Sequence, residues 1–507
     1  MARPIAWTKP ESPYLMRDVK LTDKYTIDEG MVLMSGTHAL VRLPMLQKDR
    51  DTRAGLDTGG FISGYRGSPL GSYDQELWRA KDLLESMDIV FQPGVNEDLA
   101  ATAVWGTQML AGIPDATKDG VFAIWYGKGP GVDRSGDPFK HGNMAGSHPN
   151  GGVLIVAGDD HSGKSSTVAH QSEMALMHAG MPILAPSNVQ DTLELGLLGW
   201  AMSRYTGLFT GFKMCNEVLE QTMTVELPRL DNGPVLPERG VAPANGFNNF
   251  PTHLDRVQSE IVAKRFRWPL VEKFVRANGI DRVLINTGIR RLGIVSTGKA
   301  VQDVRQALTL LGLDDAGAAA LGISLYQLGC MYPVEREGLA EFADGQAELL
   351  FVEEKDGLTE AQAKAILYGR PGAPPIVGKC DETGAFMIPS DEQLDAIATT
   401  YRFVNSHGGM IEPARPDAGP QAFWAGPSAG RDAQGRTIGQ RIKARHPEFT
   451  LSNYRNGSYV SQNCPNEAAE VEQAFPLGIA VWKTDCALPG PLSAGETTLV
   501  VSRPRQT

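Results

Sequence analysis

The chain has 507 residues, of which 42% are hydrophobic and 21% charged, and a formal net charge of -11. That length asks for two or three cores rather than one, and the composition is that of a globular protein, which excludes disorder as the starting expectation. The negative charge argues against an extended nucleic-acid surface, because phosphate backbones are met by a basic footprint. Five cysteines, Cys215, Cys330, Cys380, Cys464 and Cys486, are odd in number and scattered, so neither a disulfide framework nor a Cys-x-x-Cys metal site is expected, and a reducing cytoplasm fits. The first ten residues lack the apolar core of a signal peptide and no apolar run reaches membrane-spanning length, so a soluble chain without a membrane partner is expected.

Between about Asp28 and Leu230, short apolar runs at 60–63, 89–91, 121–125 and 153–157 alternate with helical patterns. Each run ends in a glycine-rich turn, the arrangement of a parallel sheet whose loops gather at its carboxyl edge. Residues 231–251, rich in proline, glycine and asparagine, read as a linker or crossing arm, and a helix is predicted from His253 to about Asn278. A second α/β unit begins with the strand, turn and helix start at 292–300 and continues through 321–326 and 348–355. Beyond about Pro389 the chain is proline- and glycine-rich and carries no assignable pattern.

One carboxylate stands out. The run ending in Phe91 is broken by Pro93-Gly94, and Asn96 is placed to cap a helix whose Ala100, Ala101, Ala103 and Gly106 permit close packing. Glu97 then falls at the carboxyl end of a strand, where open α/β sheets bind ligands. The alternative is that Glu97 and Asp98 only decorate a first helical turn, favoured by the helix dipole.

Gly158-Asp159-Asp160-His161-Ser162-Gly163-Lys164-Ser165 satisfies the phosphate-loop formula after an apolar strand. Its two aspartates would repel the phosphates that such a loop cradles with backbone N–H groups. A structural turn is therefore expected, with Asp159, Asp160 and His161 pinning it and Ser165, Ser166 and Gln171 shaping a nearby wall. A nucleotide-binding enzyme is the alternative. Gly298-Lys299 and Glu353-Glu354-Lys355 are expected to be solvated, as charges at strand ends usually are.

The stretch around Glu97, together with Gly64-Tyr65-Arg66-Gly67-Ser68-Pro69 and Gly129-Pro130-Gly131, resembles the thiamine-diphosphate-dependent 2-oxoacid:ferredoxin oxidoreductases, and within them the indolepyruvate ferredoxin oxidoreductases. The resemblance runs from about Asp28 to about Gly384. It implies an α/β architecture: a thiamine-diphosphate-binding, pyrimidine-type parallel-sheet domain at 28–250, then a smaller transketolase-C-like α/β domain at 280–388, with 389–507 unassigned. It also implies that Glu97 activates the cofactor, and that Gly64, Tyr65, Ser68, Asn96, Gly129, Pro130 and Gly131 lie beside it. A carboxyl hydrogen-bonded to the aminopyrimidine would stabilise the imino form that deprotonates the thiazolium carbon.

Arg66 departs from the proline usual at its position, so it either alters the oxoacid pocket or grips a carboxylate bidentately. The stretch between Trp125 and Gly152 reads as a long glycine loop, and its Lys128, Arg134, Lys140 and His141 are candidates for an oxoacid carboxylate or a coenzyme A phosphate, against a solvated connection as the alternative.

The family's Gly-Asp-Gly diphosphate sequence occurs nowhere, and Cys464 has no neighbour at iron–sulfur spacing, so no metal site is expected in this chain. The resemblance therefore implies that Mg²⁺ with the diphosphate side and an iron–sulfur cluster come from another domain or subunit. For the complete assembly the resemblance implies ferredoxin and coenzyme A as reaction partners and a second copy in a dimer. The implied reaction is oxidative decarboxylation of an aryl or branched 2-oxoacid to acyl-CoA. A non-catalytic scaffold that kept the fold is the other reading.

Overall fold

The computed structural model describes residues 19–161, 170–231, 233–244, 246–248 and 256–379. The chain divides into two units, Met1–Ala396 and Ile397–Thr507, and every described residue belongs to the first. The segment 389–507 and the loop residues Ser162, Gly163, Lys164, Ser165 and Ser166 lie outside the described residues.

Aliphatic runs bounded by glycine turns form the strands. In chain order they are β1 (Met31–Ser35), β2 (Thr58–Gly64), β3 (Ile89–Phe91), β4 (Gly120–Lys128), β5 (Val153–Asp159), β6 (Ile183–Leu184) and β7 (Thr210–Cys215). They continue with β8 (Thr222–Glu226), β9 (Arg282–Ile285), β10 (Leu292–Thr297), β11 (Ile323–Leu328), β12 (Cys330–Tyr332), β13 (Leu349–Val352) and β14 (Ile376–Val377). Strands β5 and β7 are buried along their whole length, as a sheet covered on both faces requires.

The larger sheet has the order β12-β6-β7-β5-β4-β2-β3, parallel except for β12. Alternation along β4 divides its side chains: Ile124 and Tyr126 join one core with Leu40 and Leu43, while Ala123 and Trp125 join the other with Ala100 and Val104. The chain passes from β2 outward to β3 and returns across β2 to β4. The carboxyl ends of β2 and β4 therefore flank a topological switch point, the crevice where such sheets bind ligands.

The smaller sheet has the order β14-β13-β10-β11-β9, parallel except for β9. The protein is thus a mixed α/β structure built on parallel sheets. Immediately after β11 the chain crosses to the larger sheet, where β12 pairs antiparallel with β6 and Ala185 N–H donates to the Gly329 carbonyl at 2.9 Å. The predicted 253–278 helix is present as Arg256–Val262 and Trp268–Ala277 joined through a π-helical turn at Ala263–Arg267.

Arg267 in that turn is 1% exposed. Its guanidinium donates to the carbonyls of Phe247, Met144 and Ala145 at 2.6, 2.9 and 3.2 Å, closing the end of the helix Gly136–Ala145. Among the described residues, no helix is long and apolar enough to cross a membrane.

Two expectations are corrected. Residues 129–145 do not form a long glycine loop: Pro130 sits in the first turn of a helix Gly129–Arg134, where its missing N–H costs nothing, and Gly136–Ala145 follows. Nor are Lys299, Glu354 and Lys355 solvated. Lys299 Nζ lies 3.0 Å from Glu354 Oε1 and 2.8 Å from Asp303 Oδ2, with Lys299 and Glu354 each 9% exposed and Lys355 3%. A buried cation this close to two carboxylates meets the requirement that buried charge be paired.

Candidate functional site

Three turns meet at the switch point. The turn after β2 carries Gly64, Tyr65, Arg66 and Ser68; the turn after β3 leads to Asn96 and Glu97; the end of β4 delivers Lys128 and the helix start at Gly129. Backbone hydrogen bonds tie them together, Tyr65 N–H to the Tyr126 carbonyl at 3.0 Å and Gly94 N–H to the Gly64 carbonyl at 2.8 Å. The turns are also packed at glycine. A β-carbon at Gly64 would stand 2.0 Å from the Tyr126 carbonyl oxygen, and one at Gly67 2.9 Å from Lys128 Cδ.

Asn96 is extended, and its Oδ1 accepts from Leu99 N–H at 2.9 Å, so it caps the helix Glu97–Thr107. Glu97 is the first residue of that helix and is 8% exposed. Trp125, from β4, donates its indole N–H to the Glu97 carbonyl at 3.0 Å, which fixes the backbone that carries the acid. The carboxylate lies over the next turn: a β-carbon at Gly131 would be 2.7 Å from Glu97 Cγ and 3.0 Å from Oε1. A buried acid and a bare stretch of backbone thus share one corner of the crevice.

Tyr65, Arg66 and Ser68 are exposed on the neighbouring turn, Lys128 and Pro130 are half-buried, and Gly129 and Gly131 are buried. The charge of Arg66 acts on Tyr126, whose hydroxyl donates to Asp74 Oδ1 at 2.7 Å and whose pKa is raised, chiefly by burial. Arg134 is exposed at the end of its short helix, and Lys140 is exposed on the next. His141 does not join the cluster. It is exposed, stacks on Trp105 with ring centroids 6.0 Å apart, and its Nδ1 stands 3.3 Å from Asp137 Oδ1. Trp105 is eight positions along the helix from Glu97, a rise of roughly 12 Å.

The sequence reading missed His170, which packs on Gly129: a β-carbon there would be 2.6 Å from His170 Nδ1. That same nitrogen lies 3.6 Å from Asp133 Oδ2. No local pattern announces it, because its partners lie about forty positions upstream.

At the end of β5, Asp159 accepts from Ser172 N–H at 2.8 Å and from Ser172 Oγ at 2.6 Å, with Lys213 Nζ 4.0 Å away and donating to Glu173. Asp159 is therefore committed to a buried network that holds the start of the helix Ser172–His178. Gln171 bonds Glu173 at 3.0 Å and the Asp356 carbonyl at 3.1 Å. His161 is buried beside Lys213, Lys355 and Lys299, and burial first, then these cations, holds it well below the usual imidazole range. Among the described residues there is no cluster of three or more metal-ligating side chains.

The family profile described as the Indolepyruvate oxidoreductase domain matches residues 282–406. Indolepyruvate oxidoreductase subunit IorA of Methanothermobacter marburgensis is 26% identical over 390 residues, covering 74% of this chain and 58% of that protein. IorA of Pyrococcus horikoshii is 24% identical over 390 residues, covering 75% of this chain and 54% of that one. The chain is similar to indolepyruvate oxidoreductase subunits over about three quarters of its length.

It spans little more than half the length of these IorA relatives. The 2-oxoglutarate:ferredoxin oxidoreductase from Magnetococcus marinus superposes with a TM-score of 0.52 at 14% identity, over 73% of this chain and 64% of that one. This likeness is one of fold.

Proposed function

We propose that this chain is the pyrimidine-side portion of a thiamine-diphosphate-dependent 2-oxoacid:ferredoxin oxidoreductase, with Glu97 as its proton-handling acid. The observation that carries the reading is the buried carboxylate of Glu97 against Gly131, at the crevice between β2 and β4. These residues fit the cofactor: a carboxyl that can share a proton with a ring nitrogen stands beside backbone with no side chain to obstruct a flat ring. Bound thiamine diphosphate would supply an ionisable thiazolium carbon able to add to a 2-oxoacid carbonyl.

In this reading Glu97 holds or moves a proton at its carboxylate, Asn96 and Trp125 fix its backbone, and Gly64, Tyr65, Gly129, Pro130 and Gly131 form the adjoining wall. Ser68 and Arg66 face the substrate carboxylate, and Lys128 adds positive charge to the same turn. Arg134, exposed at the end of its short helix, and His141, turned onto Trp105, lie on the outer surface, where a coenzyme A phosphate is the anion they suit.

The Mg²⁺ and diphosphate side and the iron–sulfur cluster come from another domain or subunit, with ferredoxin as electron acceptor and a dimer as the working state. The substrate is an aryl, indolepyruvate-like or branched 2-oxoacid, converted to its acyl-CoA. The test combines the chain with a partner region bearing Gly-Asp-Gly and clustered cysteines, and assays a series of 2-oxoacids with a low-potential acceptor and coenzyme A. Turnover that depends on both parts is expected. Bound thiamine diphosphate with no turnover on any 2-oxoacid would favour the scaffold reading.

A further inference from the structure

The turn at 65–70, which carries Arg66 and Ser68, is held at both ends by a single residue of β4, Tyr126. At its start, the Tyr126 carbonyl accepts the Tyr65 N–H at 3.0 Å. At its end, the Tyr126 hydroxyl donates to Asp74 Oδ1 at 2.7 Å, and Asp74 lies in the first turn of the helix Gly71–Arg79, into which the chain runs directly. Both side chains are buried.

Neighbouring residues let one tyrosine span the two ends. Gly64 has no side chain to keep the ring away: a β-carbon there would stand 2.5 Å from Tyr126 Cδ1. Tyr73, beside Asp74, meets the Tyr126 ring edge to face, with centroids 5.2 Å apart and planes at 86°. Leu70 is seated under the end of β5, where a β-carbon on Gly158 would be 2.7 Å from Leu70 Cγ. Between these fixed points the side chains of Arg66 and Ser68 are exposed, so their direction is set by the backbone that carries them.

We propose that the Tyr126–Asp74 pair is a positioning device for the turn after β2, and through it for the grip of Arg66 and Ser68 on the substrate carboxylate. The proposal rests on the 2-oxoacid reading of the Glu97 crevice. Neither residue touches the substrate. A buried hydroxyl bonded to a carboxylate is a charge-assisted contact, and breaking it leaves a buried group without its partner. The start of the helix Gly71–Arg79 then shifts to relieve that cost, and the turn shifts with it. Glu97 is carried by a different helix and held through Asn96 and Trp125, so the proton-handling acid stays in place. The loss therefore falls on substrate binding rather than on the chemical step.

Hydrogen exchange on the full chain, and kinetics on the chain assembled with its partner region, test the proposal with Tyr126→Phe, Asp74→Ala and Asp74→Asn. Amides at 65–70 should exchange about tenfold faster in Tyr126→Phe and Asp74→Ala, the scale of one net hydrogen bond, while the amides of β5 keep their protection. The same two variants should raise KM for the 2-oxoacid about tenfold and leave kcat within about twofold. Asp74→Asn, whose amide oxygen can still accept from the hydroxyl, should stay near wild type in both measurements.

Unchanged exchange at 65–70 would overturn the clamp. Faster exchange with an unchanged KM, or with kcat falling as much as kcat/KM, would reduce the pair to a structural contact and overturn the positioning role. Should Tyr126→Phe lose protection in β5 as well, the two Asp74 variants decide. A wild-type assembly that turns over no 2-oxoacid would be a failure of the 2-oxoacid reading itself, seen before any variant is made, and would take the positioning role with it.

Discussion

Gly131 presents its Cα to the carboxylate of Glu97, so closely that a β-carbon would stand 2.7 Å from Glu97 Cγ. The glycine is therefore required by contact rather than by backbone angle, since it lies within the helix Gly129–Arg134. Gly131→Ala should displace the Glu97 carboxylate and lower kcat/KM of the assembled enzyme on the order of a hundredfold, the scale of a misplacement near 1 Å. Denaturant titration should show a loss of only about 1–3 kcal/mol from overpacking. Unchanged turnover would separate Gly131 from the site.

Arg267→Met removes the five donors of a buried guanidinium while keeping much of its volume. The carbonyls of Phe247, Met144 and Ala145 would lose their partners. A stability loss of about 3–5 kcal/mol is expected, as for breaking a buried charged network. Arg267→Lys, which keeps a charge but not the fork, should fall between. Equilibrium urea unfolding measures both.

Burial pushes the Asp281 carboxyl from 3.8 up to about 7, opposed by the N–H groups of Cys330 and Gly329 and reinforced by Glu335. Because the folded value lies above the unfolded one, the protonated acid favours the fold. That contribution is complete below about pH 4 and is lost as pH rises through about 7. Between pH 5 and 8 it should cost the wild type roughly 2–3 kcal/mol relative to Asp281→Asn, whose amide oxygen can still accept from Cys330. Unfolding curves at the two pH values give the difference, and parallel pH profiles for the two proteins would contradict it.

Much of the fold was legible because its signals are local. Strands β4 and β5 are apolar runs buried on both faces, and Asn96 caps the helix at Glu97 where the turn after Pro93-Gly94 suggested. What escaped depends on partners far away in sequence. Lys299 looks like a surface charge after a turn glycine until Glu354, fifty-five positions on, is packed beside it. The glycine run at 129–131 suggests a loop, and only the packed turn shows Pro130 opening a helix. His141 shares a basic stretch with Lys128, yet its helix turns it onto Trp105. Nothing in the pattern of 329–332 signals that β12 leaves one sheet to extend the other.

The central claim is that Glu97 carries the proton-handling role, and Glu97→Gln in the assembled enzyme tests it most directly. Glutamine keeps the shape and a hydrogen bond but cannot carry the proton. Turnover should fall on the order of a hundredfold or more, the range of general acid–base catalysis, while urea unfolding stays within about 1 kcal/mol of wild type. Turnover equal to wild type in a folded Glu97→Gln protein would contradict the account and leave a non-catalytic scaffold as the better description.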